Sequence, residues 1–331
     1  MPAEWEEHDG TWLSWPKDPS TFPGHILQAV EEAYARMVGA LKDGEEVHIL
    51  VDDSETEARV NSTLRSDSNI VFHRIRTVDV WVRDYAPIYV KGRDLAVVKW
   101  VFNAWGNKYD DLKQDSRAGD ELAESTGLRV FRPGLVLEGG SIDVNGKGSM
   151  LTTEQCLLNP NRNQGLGMSR MTEALRAYLS ATNLIWLGRG IEGDDTDGHV
   201  DDIARFVAPG KVLAAVEKNP SDPNHEPLDR NLRLLMQARN EEGRMILVEE
   251  IPMPERMYYD DGRLPASHLN FYIGNKAVLV PIFGGRSDGQ ALKSLEDAFP
   301  SRDVVGIDCR ALVHGLGSIH CVTQQIPRAP T

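Results

Sequence analysis

Cysteine is scarce in this sequence. Its 331 residues hold three, Cys156, Cys309 and Cys321, an odd number with no paired spacing. That argues against a disulfide framework or a cysteine-rich zinc site, and it fits a reducing cytoplasm. Long apolar runs are missing too. None approaches the ~18 residues that a transmembrane helix needs. The opening segment Met1-Pro2-Ala3-Glu4-Trp5-Glu6-Glu7 is acidic and lacks an apolar signal core, so export is not expected. Positive charge is in deficit: 36 Lys and Arg against 50 Asp and Glu give a net charge of −14. Nucleic acid or an anionic membrane would be repelled over much of such a surface, whereas a small cation would be attracted. Surface acidity alone serves solubility, so cation binding calls for carboxylates inside a pocket.

What is present is the composition of a globular protein, 41% hydrophobic and 26% charged, long enough to bury a sizeable core. Apolar spacing predicts a helix over Ile26–Leu41, a strand over Glu46–Val51 and an amphipathic helix over Ser54–Ser66. A strand–glycine turn–strand pattern then recurs over Ile88–Val98, Ile142–Leu151, Ala204–Leu213 and Asn270–Leu279. The turn glycines are Gly92, Gly146, Gly210 and Gly274, spaced by 54, 64 and 64 residues (146 − 92, 210 − 146, 274 − 210). Helical patterns follow at Asp120–Thr126, Met168–Ala181, Leu228–Asn240 and Gly289–Phe299. Periods of this size mean repeated supersecondary units, arranged radially or stacked. A fifth unit would combine a strand-like run, Ile319–Gln324, with the N-terminal run Thr11–Trp15, closing a ring without exposed edges. With no linker in sight, residues 1–331 read as a single α/β domain.

The repeat also places the chemistry. Asp84 lies eight residues before Gly92, Glu138 eight before Gly146, and Asp202 and Asp201 eight and nine before Gly210, with His199 just ahead. Each would open the first strand of its unit, and around an axis those strand ends converge. Cys321 opens the last. A free cysteine is usually buried and inert, but Gly315 and Gly317 leave bare backbone beside this one, which suits an attacking thiolate. His199 can move protons and a nearby carboxylate can fix its tautomer. Trp81, close to Asp84, can stack on a cation. Gly139 and Gly140 let a ligand approach Glu138. His320 should face away from Cys321 and be structural. Acids on several sides of a thiolate suit a guanidinium, which is planar and offers five donors. Zinc on His199, Asp201 and Glu138 is the competing reading. It lacks an HExxH motif, a second histidine at ligand spacing and paired cysteines.

These motifs together resemble the agmatine deiminase branch of the guanidino-group-modifying enzymes, a group that includes bacterial peptidylarginine deiminases. The stretches that carry the resemblance are Ala3-Glu4-Trp5-Glu6, Thr11-Trp12-Leu13-Ser14-Trp15-Pro16, Trp81-Val82-Arg83-Asp84, Phe102-Asn103-Ala104-Trp105-Gly106, Leu137-Glu138-Gly139-Gly140-Ser141, Gly198-His199-Val200-Asp201 and Ile319-His320-Cys321-Val322-Thr323-Gln324-Gln325. The resemblance implies a five-bladed α/β propeller, the pentein fold, of ββαβ units. It implies Cys321 as nucleophile, His199 as general acid and base, Glu138 as the carboxylate orienting it, and Asp84 and Asp201 gripping the guanidinium. It implies hydrolysis of agmatine to N-carbamoylputrescine and ammonia, a place in putrescine biosynthesis, and no metal or organic cofactor. Alternatives are a deiminase for free or peptidyl arginine and, more remotely, a non-catalytic ligand-binding propeller. The sequence departs from the family pattern at Asp202 (commonly Asn), Ala86 (usually Gly), and Leu316 and Ser318 in the usual Gly-Gly-Gly-Asn run. These leave the amine end of the substrate open; Trp105 and Asp197, in the acidic loop Asp194–Asp197, are its candidate partners. Helix-rich outer faces leave room for a homodimer.

Overall fold

The computed structural model describes residues 1–64 and 69–330. In the first unit Ile88–Lys91 and Leu95–Val98 pair antiparallel, the helix Asp115–Ser125 follows, and Arg129–Phe131 returns parallel to Leu95–Val98. The second unit repeats this with strands Ile142–Val144 and Ser149–Thr153, helix Met168–Leu179 and strand Asn183–Leu187. The third uses Ala204–Ala208, Lys211–Val216, His225–Gln237 and Leu247–Pro252. The fourth uses Tyr272–Ile273, Ala277–Ile282, Asp288–Ala298 and Asp303–Asp308. The fifth joins the two ends of the chain. Gln324–Pro327 pairs antiparallel with His8–Ser14, and after the helix His25–Leu41 the strand Glu46–Val51 runs parallel to His8–Ser14. A further helix, Ser54–Leu64, leads to the edge strand Ile70–Arg74. Each unit is ββαβ: in the first four a glycine turn makes the antiparallel pair, in the fifth the chain ends meet, and the parallel return needs a crossover that the helix supplies.

The sequence dictates the layers. The second strand of each unit lies between two others under a helix, so it reads as a near-continuous apolar run, as in Ala277-Val278-Leu279-Val280, all buried. The helix His25–Leu41 buries Val30, Ala33, Tyr34, Met37, Val38 and Leu41, one stripe at helical spacing. Each large side chain buried this way contributes roughly 1.5–3 kcal/mol. Among the described residues no helix is long and apolar enough to cross a membrane.

Three expectations change. The helix expected at Asp120–Thr126 begins at Asp115, because the 3-10 turn Leu112–Gln114 runs into it and Ala118 and Leu122 extend its buried face. The helix expected to reach Ser66 is seen to Leu64; its last two residues lie outside the described ones. The run Ile319–Thr323 is a turn, not a strand. Thr323 Oγ1 donates to the carbonyls of Ile319 and His320, at 2.9 and 3.1 Å, and the backbone N–H groups of Val322 and Thr323 donate to the same two carbonyls. The strand starts at Gln324.

Candidate active site

The same correction holds for the other units and explains how the site is built. Asp84 lies in the helical turn Val82–Tyr85, Glu138 directly precedes the turn Gly139–Ser141, and Asp201 lies in the turn Val200–Asp202. Each sits one turn ahead of its strand. The turn gathers side chains toward a shared centre that strands would point to alternating faces. The fourth unit contributes Asn270 from the equivalent place, just ahead of Tyr272–Ile273.

Gly140 marks that centre. A methyl group placed on it would lie 2.6 Å from His199 Nδ1, 2.9 Å from Asp201 Oδ2 and 3.1 Å from Asp84 Oδ1. Three units therefore meet around one missing side chain. Gly140 also donates its N–H to Asp84 Oδ1 at 2.9 Å, and Trp105 Nε1 donates to Asp84 Oδ2 at 2.9 Å. His199 Nδ1 lies 3.9 Å from Asp84 Oδ2, and neither ring nitrogen has a hydrogen-bond partner. One oxygen of Asp201 and one of Glu138 are likewise buried without partners. Such groups are expensive to leave bare unless a ligand satisfies them.

Cys321 Sγ faces this cluster. It lies 3.9 Å from Asp201 Oδ2, and Asn270 Nδ2 donates to it at 3.2 Å. Asn270 also donates to Asp202 Oδ1 at 3.0 Å, and its Oδ1 accepts the N–H groups of His320 and Cys321. Burial first, then Asp201, Asp202 and Asp84, hold the thiol well above its ordinary range, so the resting sulfur carries a proton. Burial works against charge on His199, but Asp84 first, then Cys156 and Asp201, outweigh it and hold the imidazole well above its usual value. The nucleophile and the imidazolium are thus both protonated before a substrate arrives.

Cys321 and Asp84 open into a cavity of about 390 Å³ that Trp81, Trp105 and Gly317 also line. The same wall holds Asp18, Asp111, Asp195, Tyr109, Tyr259 and Arg263. Gly317 has no room for a side chain, since a methyl there would strike the Trp81 ring. Asp195 accepts from Tyr109 Oη at 2.6 Å, and burial raises its carboxyl to about 6. Arg263 is paired with Asp222 at 2.6 Å.

Asp197, like Glu138, His199 and Asp201, is not among the residues that line the cavity, and it is taken up by ion pairs. It accepts from Lys108 Nζ at 2.8 Å and Arg162 at 2.6 Å. His320 is not on an opposite face. Its Nδ1 lies 2.7 Å from Asp201 Oδ2 and its Nε2 2.9 Å from Glu4 Oε2. Glu4 in turn pairs with Arg205 at 2.9 Å and Arg83 at 3.3 Å, so a buried charge network under the site orients Asp201. Burial opposes the Asp201 charge, but His320 outweighs it and the carboxyl is held below its normal range. The zinc set weighed from sequence is not assembled as such. Donor atoms of Glu138, Cys156 and His199 do lie within 4.8 Å of one another, but the Arg162 guanidinium at 2.7 Å from Glu138 and the burial-raised thiol of Cys156 both oppose a cation there.

A buried thiol, an imidazolium and several carboxylates on a five-unit α/β scaffold define a hydrolase of guanidino C–N bonds with the pentein fold. The particular family follows from comparison: residues 1–327 match the model of the Porphyromonas-type peptidyl-arginine deiminases, and the chain belongs to that family. An agmatine deiminase of Stutzerimonas stutzeri is 36% identical over 99% of this chain and 95% of its own. The solved agmatine deiminase of Enterococcus faecalis superposes with a TM-score of 0.90 at 30% identity, covering 99% of this chain and 95% of that one. A C. jejuni agmatine deiminase with substrate bound superposes with a TM-score of 0.89 at 29% identity, covering 99% and 96%.

Proposed function

We propose that this chain hydrolyses agmatine to N-carbamoylputrescine and ammonia through a covalent bond to Cys321. The observation that carries the reading is the gathering of Asp84, Asp201 and His199 around Gly140, beside Cys321, which with Asp84 lines a cavity rich in acids. Relatives of 36% identity named agmatine deiminase, aligned along nearly the whole chain, support the substrate.

The steps follow from the charges. The Asp84 and Asp201 carboxylates grip the guanidinium and hold its central carbon over the sulfur, so the encounter becomes unimolecular. The bound cation lowers the thiol pKa in a site where buried acids had raised it. As the cation binds, the thiol proton passes to solvent; the thiolate attacks the carbon, the His199 imidazolium gives its own proton to the departing nitrogen, and ammonia leaves with His199 now neutral. An S-alkylthiouronium remains on Cys321. His199, with Glu138 beside it, then takes a proton from water. The resulting hydroxide adds to the same carbon, the carbon–sulfur bond breaks, and the ureido product leaves a restored thiol. No group outside the chain is needed.

Arginine is the second reading, and the acidic lining of the cavity weighs against it. An α-carboxylate would meet Asp18, Asp111 and Asp195, while Arg263 is already paired with Asp222. The primary amine of agmatine fits that acidic, aromatic wall. The test is incubation with agmatine, arginine and an arginine peptide, following ammonia and ureido product. Agmatine should be strongly preferred, and Cys321→Ala should abolish turnover with the melting temperature kept. Equal rates on arginine would refute the substrate, and turnover by the alanine variant would refute the nucleophile.

A further inference from the structure

Arg162 belongs to no motif singled out in the sequence, yet it sits at a junction. Its guanidinium side chain is fully enclosed. Nε donates to Glu138 Oε1 at 2.7 Å, one terminal nitrogen donates to Asp197 Oδ2 at 2.6 Å and to Asn161 Oδ1 at 2.9 Å, and the other donates to the Thr196 carbonyl at 2.7 Å. Asn161 Nδ2 donates to the same Asp197 oxygen at 2.9 Å, and Lys108 Nζ holds the other, Oδ1, at 2.8 Å. Residues 194–198 deliver His199: its backbone N–H donates to Asp194 Oδ2 and Thr196 Oγ1, and Thr153 Oγ1 donates to the Gly198 carbonyl at 2.6 Å. Asp197 and Gly198 both have positive φ, 66° and 90°, so this loop takes its shape from its bonds rather than from backbone preference.

From this junction we infer that Arg162 is a positioning residue for the hydrolysis, clamping the Glu138 carboxylate to the loop that presents His199, with Asp197 as the clamp's outer anchor rather than a contact for the substrate's amine. A planar fork is required because one group must meet a carboxylate, a second carboxylate and a carbonyl at once, which an ammonium cannot do. The inference rests on the functional reading above. It also supplies a charge: Arg162 is a buried cation beside a cluster in which Asp84, Glu138, Asp201 and Cys156 all face His199. Losing a positive charge favours the protonated form of every group near it, so the ionisations of the site all move to higher pH.

The experiment compares Arg162→Gln, Arg162→Lys and Asp197→Asn with the native chain. In Arg162→Gln, kcat should fall on the order of 100-fold, as for loss of general acid–base catalysis, and both limbs of the pH profile of kcat/KM should move upward. Arg162→Lys keeps the charge and misses the fork, so its limbs should stay in place while kcat falls. Asp197→Asn should lower kcat with the agmatine KM unchanged. Limbs that do not move in Arg162→Gln would reduce Arg162 to a structural tie and overturn the inference. So would an agmatine KM raised by Asp197→Asn with KM for methylguanidine unaltered, which would make Asp197 an amine contact. Should the native chain release no ammonia from any guanidine, the functional reading fails, and the His199 imidazole titration by NMR still decides the clamp. It should move upward in Arg162→Gln, and an unmoved titration would overturn the proposal.

Discussion

Gly140→Ala puts one methyl group where three units meet. Its contact with His199 Nδ1 would be 2.6 Å, where ordinary contacts begin at 3.4 Å, so the imidazole or the turn must yield by roughly 0.8 Å. The added carbon also presses on Asp201 Oδ2 and Asp84 Oδ1, the two acids proposed to hold the guanidinium. A displacement near 1 Å at reacting groups costs about 100-fold in rate, whereas overpacking of this kind costs about 1–3 kcal/mol of stability. The variant should therefore fold, melt a few degrees lower, and lose about two orders of magnitude in kcat/KM for agmatine. Gly139→Ala is the companion: its methyl would strike the backbone carbonyl of Arg83, away from His199, and should act mainly on stability. Gly92→Ala meets nothing and should change neither quantity. Ammonia release at low agmatine, run beside thermal melts, reads both. A Gly140→Ala enzyme within about threefold of native kcat/KM would refute the convergence on which the site rests.

Glu4→Gln removes one carboxylate shared by Arg205, Arg83 and His320; Arg205 keeps Asp143 and His320 keeps Asp201, but Arg83 loses its carboxylate partner, and that buried unpaired cation should cost about 3 kcal/mol in urea unfolding. The Glu4 carboxyl is held well below its usual range, with burial opposing but Arg205 and His320 prevailing. Its stabilisation should therefore be full above the unfolded value near ~4.3 and fade only as pH falls further, so the gap between native and Glu4→Gln should narrow in acid. Asp202 has the opposite sign. Burial first, then Asp201, push its carboxyl well up, so charge there opposes folding increasingly as pH rises above the unfolded value. Asp202→Asn keeps an oxygen for Asn270 Nδ2 and should raise the urea midpoint at neutral and alkaline pH, with the gain vanishing below pH ~4; a gain independent of pH would show that charge is not the cause.

The sequence exposes the scaffold through its glycines. Gly92, Gly146, Gly210 and Gly274 each fall between the two strands of an antiparallel pair, and the polar residues read eight or nine positions earlier are the ones that converge. Periodicity could not show that those residues sit in helical turns, because a three- or four-residue turn carries no period. Asn270 escaped notice since the first strand of its unit is two residues long, which brings it within four positions of Gly274. Arg162 and Glu4 work at |i − j| of 24 and 201 from Glu138 and Arg205, separations that no local pattern encodes. Within the acidic loop Asp194–Asp197 the sequence does not distinguish one acid from the next; the structure pairs Asp197 with Lys108 and Arg162. Asp195, two residues earlier in the same loop, is the one that lines the cavity.

The central claim is that one sulfur takes up the carbon of a guanidinium held by acids from separate units. Acid quenching of the enzyme during turnover of agmatine, followed by peptide mass analysis, tests it directly. The peptide containing Cys321 should gain the mass of agmatine less one ammonia, and the gain should be absent from the peptides of Cys156 and Cys309. Ammonia and ureido product formed at full rate with Cys321 unmodified at every quench time, and still formed by Cys321→Ser, would contradict it.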